Sequence, residues 1–171
     1  VLYIDTEMNS RQQEDRILSM LTNIPHKEIV AGTYVIDNEN GKAKDKLNKI
    51  KNAIALLKES SYYHVYMPNF TVERVTALAR KFKLQHNISA LFFDYLKMPS
   101  SQLGMLKSAQ EWQILGYLTS NLKDLAGELN IPIWSACQEN RTYLTDGKKN
   151  EKNVGGSDRI FQFASNLLFL S

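Results

Sequence analysis

Short β-prone apolar runs alternate along this chain with longer stretches whose apolar residues recur at helical spacing. Residues 1–5 (VLYID) form the first run, and Asn9 and Ser10 then offer N-caps for a helix over residues 11–21. Residues 42–60 set Leu47, Ile50, Ile54 and Leu57 on one stripe, with Lys44, Lys46, Lys49 and Lys51 mostly on other, solvated faces. Residues 62–67 (YYHVYM) read as a strand stopped by Pro68, after which Thr71 caps a helix with the stripe Val72, Val75, Ala79 and Phe82. Residues 88–94 (ISALFFD) are almost wholly apolar up to a closing acid, the pattern of a strand covered on both faces. A helix over residues 108–129, carrying Trp112, Leu115, Leu122, Leu125 and Leu129, leads into a further buried strand over residues 131–137 (IPIWSAC). A long polar loop over 138–156 then gives way to a short helix near 157–164 and a closing strand over 166–170.

Strands alternating with helices of ten or more residues predict an α/β fold with a mainly parallel sheet and right-handed crossovers. At 171 residues, 43% hydrophobic and 23% charged, the chain is sized for one domain with one core. The net charge of +3 permits an anionic partner without requiring one. A single cysteine, Cys137, excludes an internal disulfide framework, and no apolar run is long enough to span a bilayer or act as a signal peptide, which points to the cytoplasm. His26, His64 and His86 have no metal-ligand spacing. Trp112 and Trp134 are assigned to packing.

Ligands of an open parallel sheet bind beyond the carboxyl ends of its strands, so the residues just after each apolar run are the informative ones. Asp5, Thr6 and Glu7 follow the first run, Asp94 and Tyr95 follow ISALFF, and Gln138 follows IPIWSAC. If these strands are parallel, those groups gather on one rim. A strand-terminal carboxylate such as Asp94 suits magnesium held through water beside nucleotide phosphates, although such an aspartate also serves as a plain cap. A second carboxylate, Glu7, suits the orientation and deprotonation of an attacking water, although an acid before a helix also complements the helix dipole. Gln138 can report on a terminal phosphate through its donor and acceptor groups. Asp5 is read as a turn residue.

The segments LYIDTEMNSRQQEDRIL, LFFDYL, SNLKDLAGELNIPIWSACQENR and VGGSDRIFQFASNLLFL, in that order, resemble the C-terminal ATPase domain of DnaB-type replicative helicases, phage versions included, within the wider RecA-like family. Glu7, Met8, Gln13 and Arg16 fall on the family's strand ending in a catalytic glutamate and the helix after it. Asp94 falls on the Walker B acid, Gln138 and Arg141 on the sensor glutamine and the basic residue after it, and Ser157 and Ile160 on the serine-containing motif. The resemblance implies a RecA-like three-layer αβα fold over residues 1–171 as a single partial domain, with ATP and magnesium bound between subunits of a hexameric ring. It also implies hydrolysis coupled to translocation on single-stranded DNA. The segment of residues 97–107 and the loop of residues 141–156, with Arg141, Lys148, Lys149 and Lys152, are then the candidate DNA grips, although lysines in such a loop are commonly just solvated.

Lys97 stands where the family often has glutamine, and Asn166 where it often has aspartate. A phosphate loop, Gly-x-x-x-x-Gly-Lys-Ser/Thr, is missing: Gly41-Lys42 is followed by Ala43 and has Ile36 at the first glycine position, and Gly147-Lys148 is followed by Lys149. The chain therefore reads as a fold truncated at its N-terminal P-loop strand, with unpaired strand edges, negligible ATP turnover alone and a tendency to self-associate. Two other functions fit the same pattern: a RecA- or KaiC-like recombination or signalling ATPase, and a non-catalytic nucleic-acid-binding or assembly module.

Overall fold

The computed structural model describes residues 1–36, 41–99, 111–137 and 158–168. Four strands within them, β1 (Leu2–Asp5), β2 (Tyr63–Tyr66), β3 (Leu91–Asp94) and β4 (Ile133–Ser135), make one sheet in the order β2-β1-β3-β4. Every adjacent pair is parallel, as the alternation with helices requires. The period of two along each strand sorts the sheet into two faces. Leu2, Ile4, Leu91 and Phe93 are buried on one face against α4 (Val72–His86), α5 (Glu111–Leu129) and α6 (Asp158–Phe163), where Val75, Ala79, Leu118, Leu122 and Ile160 complete the main core. Tyr3, His64, Phe92 and Trp134 alternate with them and form an aromatic row across the strands, with neighbouring ring centroids 5.9, 6.0 and 6.3 Å apart.

Over part of that row lie α1 (Ser10–Thr22) and α3 (Lys42–Glu59), which with α2 (His26–Ala31) close a smaller core of Leu18, Ile24, Ile29, Ile50 and Ala53. Helices on both faces of a parallel sheet give the expected α/β/α layering. An apolar groove of about 740 Å3 remains between these helices and the sheet, lined by Tyr3, Phe92, Ile17, Met20 and Leu56 among others.

Local chemistry explains the boundaries. Asn9 accepts from the Gln12 amide at 3.0 Å while the Gln12 side chain accepts from the Asn9 amide at 3.1 Å, a reciprocal cap that starts α1. Thr71 caps α4 through the Arg74 amide at 3.2 Å. Asn23 and Asn87 end α1 and α4 in the left-handed region, at φ 57° and 44°.

Several expectations need correction. In α3 the buried positions are Ile50 and Ala53, whereas Ile54 is 37% exposed, so the core-facing stripe is rotated from the one read in the sequence. Helix α2 and the 3-10 turn at Thr33–Val35 have no counterpart in the sequence pattern, because six residues are too few to show a period. β3 starts at Leu91, three residues after the buried Ile88, and β4 spans only three residues. Trp134 is 50% exposed instead of packed. Residues 166–168 are not a strand, and Leu167 and Leu168 are exposed.

β4 is the last strand in the order, and its outer edge pairs with nothing among the described residues. Ile133, Trp134 and Leu167 border one cleft there. An open edge beside exposed apolar side chains favours strand addition. Light scattering on the 171-residue chain is expected to show concentration-dependent association, and Trp134→Lys to shift it toward monomer; a wild-type monomer at every concentration would overturn this.

Candidate functional site

Parallel register brings the two acidic strand ends together. Asp5 of β1 is the Cα partner of Asp94 of β3 and of Tyr66 of β2. Beyond the strands the pairing continues on both sides, with the Thr6 amide donating to the Asp94 carbonyl at 2.8 Å and the Met67 amide to the Asp5 carbonyl at 2.7 Å. Glu7 therefore leaves the sheet directly beside Tyr95, at the rim where ligands of open parallel sheets bind.

The turn that carries Glu7 is built by Asp5. Its carboxylate is 1% exposed and, through Oδ1, accepts from the Glu7 amide at 2.8 Å and the Met8 amide at 2.7 Å. A buried carboxylate is tolerable only with such donors around it. Its Oδ2 lies 3.6 Å from His64 Nε2, and His64 Nδ1 lies 3.3 Å from the Ser10 hydroxyl at the start of α1. The reading of Asp5 as a turn residue stands, with the addition that it is fully buried. Glu7 itself is exposed, and Gln13 is buried one turn into α1.

Asp94 is anchored from the neighbouring strand. The Tyr3 hydroxyl donates to Asp94 Oδ2 at 2.5 Å, and burial first, then this bond, pushes the Tyr3 phenol well above its ordinary range. Tyr95 shifts in the same direction, through burial first and then its hydroxyl contact with the Glu7 carboxylate. Lys97, two residues further on, donates from Nζ to the Thr6 carbonyl at 2.8 Å. Tyr3 and His64 escape a functional reading of the sequence because their partners are distant along the chain, Tyr3 lying 91 residues from Asp94, and Lys97, read there only as the start of a candidate DNA grip, is turned onto Thr6.

The Tyr3 environment predicts a pH effect. Because its folded pKa is raised, the folded chain holds the phenol proton more tightly than the unfolded chain does. Its stabilising contribution is complete below the unfolded value of about 10 and is lost as pH climbs through the folded value. Tyr3→Phe is expected to lower stability at pH 8 by about 1 kcal/mol, a hydrogen bond to a charged group discounted for partial exposure. It should also flatten the loss of stability at alkaline pH. Denaturant midpoints at the two extremes check both, and equal alkaline slopes would contradict the assignment.

Among the described residues no group of three or more histidine, cysteine, aspartate or glutamate side chains could hold a metal by itself. Gly41 and Lys42 do open a helix, with Gly41 at φ 77°, but Ala43 lacks the hydroxyl a phosphate loop requires. Gln138, Arg141, Lys148, Lys149 and Lys152 lie outside the described residues, as does most of the segment of residues 97–107.

Comparison with known proteins agrees with this layout. A family model described as the DnaB-like helicase C terminal domain matches residues 1–170. The replicative DNA helicase DnaB of Rickettsia prowazekii (strain Madrid E) is 28% identical over 170 residues, which take in 98% of this chain and 33% of that protein. The chain thus spans about a third of the length of that relative. Among solved structures, an isolated ATPase domain superposes with a TM-score of 0.77 at 17% identity, over 95% of this chain and 56% of that one. A DnaB-like replicative helicase, solved in a study of its interactions with primase, gives a TM-score of 0.77 at 16% identity, over 95% of this chain and 38% of that one. At these identities the structural likeness speaks to the fold.

Proposed function

The chain belongs to the DnaB-like helicase C-terminal domain family, and on that premise we propose that it forms one RecA-like domain, the motor core of an ATP-dependent replicative DNA helicase. The observation that carries this reading is the parallel register that pairs Asp5 with Asp94, so that Asp94 and Glu7, two residues past Asp5, leave neighbouring strands at one sheet rim. In the reading, Glu7 orients the attacking water and takes its proton, the work of a general base. Asp94, steadied by Tyr3 at Oδ2, has its second oxygen available for a metal-bound water, which fits magnesium's preference for one or two carboxylates and several waters. Magnesium bound there supplies charge neutralisation to phosphate oxygens. What the described residues offer a bound nucleotide is therefore a pair of carboxylates suited to its metal ion and a water, with no phosphate loop among them. Gln138 is the proposed sensor of the terminal phosphate. Arg141, Lys148, Lys149 and Lys152 are the proposed contacts to single-stranded DNA, in a hexameric cytoplasmic ring. No described helix is long and apolar enough to cross a membrane.

The test is strand displacement by the full-length protein on a forked duplex. Unwinding is expected to need ATP and magnesium and to disappear in Asp94→Asn with single-stranded DNA binding retained. ATP-independent behaviour, or an Asp94→Asn protein that unwinds normally, would remove the reading.

A further inference from the structure

The peptide unit joining Thr6 to Glu7 sets the direction in which the glutamate leaves the sheet, and both of its polar atoms are bonded to charged side chains. On one side, the Glu7 N–H donates to the buried Asp5 carboxylate at 2.8 Å. On the other, the Thr6 carbonyl accepts from the Lys97 ammonium at 2.8 Å. The peptide plane is thus held between an anion and a cation whose signs match the peptide dipole. Charge-assisted bonds of this kind are roughly twice as strong as neutral ones.

A lysine ordinarily keeps its strongly hydrated ammonium in water and lays only its stem on the protein. Lys97 does otherwise: its ammonium is turned onto a backbone carbonyl in a partly buried bond, 91 residues away in sequence. Its stem starts two residues beyond Tyr95, and Nζ lies 6.0 Å from the Tyr95 ring centroid. One short segment after β3 therefore holds the backbone just before Glu7. Three residues before Lys97 is Asp94.

We infer that Lys97 is a positioning residue for Glu7, clamping the Thr6–Glu7 peptide against Asp5 so that the carboxylate stays in register with Asp94. This rests on the proposed role of Glu7 in hydrolysis, but the clamp itself is a property of the chain alone. Without the ammonium, the Thr6 carbonyl loses its partner and the plane can rotate about the Asp5 bond. The predicted defect is then one of geometry in the reacting state, which lowers kcat and leaves nucleotide binding nearly untouched.

Two measurements test it, on Lys97→Met and Lys97→Arg. In the 171-residue chain, amide exchange at Glu7 is expected to rise about tenfold in Lys97→Met, the loss of one charge-assisted bond, with the Ile4 amide unchanged and Lys97→Arg close to wild type. In the full-length protein, Lys97→Met is expected to lower kcat for ATP hydrolysis by about ten- to a hundredfold with KM within about twofold, and Lys97→Arg to recover most of it. If Lys97→Met destabilises the chain, Lys97→Gln, which keeps a donor at shorter reach, provides the same comparison. Unchanged Glu7 exchange overturns the clamp. Faster exchange with unchanged kcat, in a protein that Glu7→Gln inactivates, overturns the positioning role while leaving the motor reading intact. If Glu7→Gln itself retains full turnover, the motor reading falls, and the exchange experiment still decides the clamp.

Discussion

Replacing Glu7 with glutamine in the full-length protein is expected to lower ATP turnover by about two to four powers of ten, the usual worth of a positioned general base. ATP affinity should change little, because the substitution keeps the side chain's size and an acceptor oxygen while removing the charge and the ability to take a proton. The fall should therefore reside in kcat. Glu7 is exposed, and the turn that carries it is held through its backbone by Asp5 and Lys97, so the variant has no reason to unfold. Steady-state hydrolysis with and without single-stranded DNA, alongside equilibrium binding of a nucleotide analogue, checks both halves. Turnover within a few-fold of wild type would assign the base elsewhere.

Phe70→Ala is expected to have the largest effect on stability. Phe70 is 0% exposed, lies between β2 and the cap of α4, and meets Phe93 of β3 edge-to-face with ring centroids 5.1 Å apart. Truncating a buried phenylalanine costs about 3–5 kcal/mol, the transfer of the ring plus the cavity it leaves. For a chain of this size that corresponds to a drop of roughly 6–20 °C in Tm. Phe70→Leu, which refills most of the volume, should recover more than half of the loss. Thermal unfolding followed by circular dichroism measures this; an alanine variant within about 1 kcal/mol of wild type would mean that the main core does not run through Phe70.

How much of this can be read from the sequence depends on the range of the interaction. Apolar runs ending in Asp5 and Asp94 announce β1 and β3, and because both strands have to be parallel, their acids have to share a rim. The caps Asn9 and Thr71 are equally plain, since each acts within three residues of itself. What escapes depends on register across the sheet. The bonds from Tyr3 to Asp94 and from Lys97 to Thr6 each join residues 91 apart, so neither side chain looks different from a strand-face tyrosine or a loop lysine. Trp134 misleads for a related reason: a tryptophan in an apolar run reads as core, yet it stands on the sheet face opposite Phe93, in the last strand of the order. The resemblance to DnaB-type domains, made on Glu7, Asp94 and the strings around them, agrees with the family match over residues 1–170.

The strand order also governs how the chain is made. β1 leaves the ribosome before the other three strands but is bordered by β2 and β3, so its partners arrive roughly sixty and ninety residues later. At about 5–20 residues per second, synthesis leaves Leu2 and Ile4 without their sheet for several seconds. During that interval the segment from α1 to α3, with its local core, can take shape on the nascent polypeptide ahead of the sheet. The proposed site at Glu7 is thus assembled late, although the codon for that residue is translated long before those of Asp94, Tyr95 and Lys97.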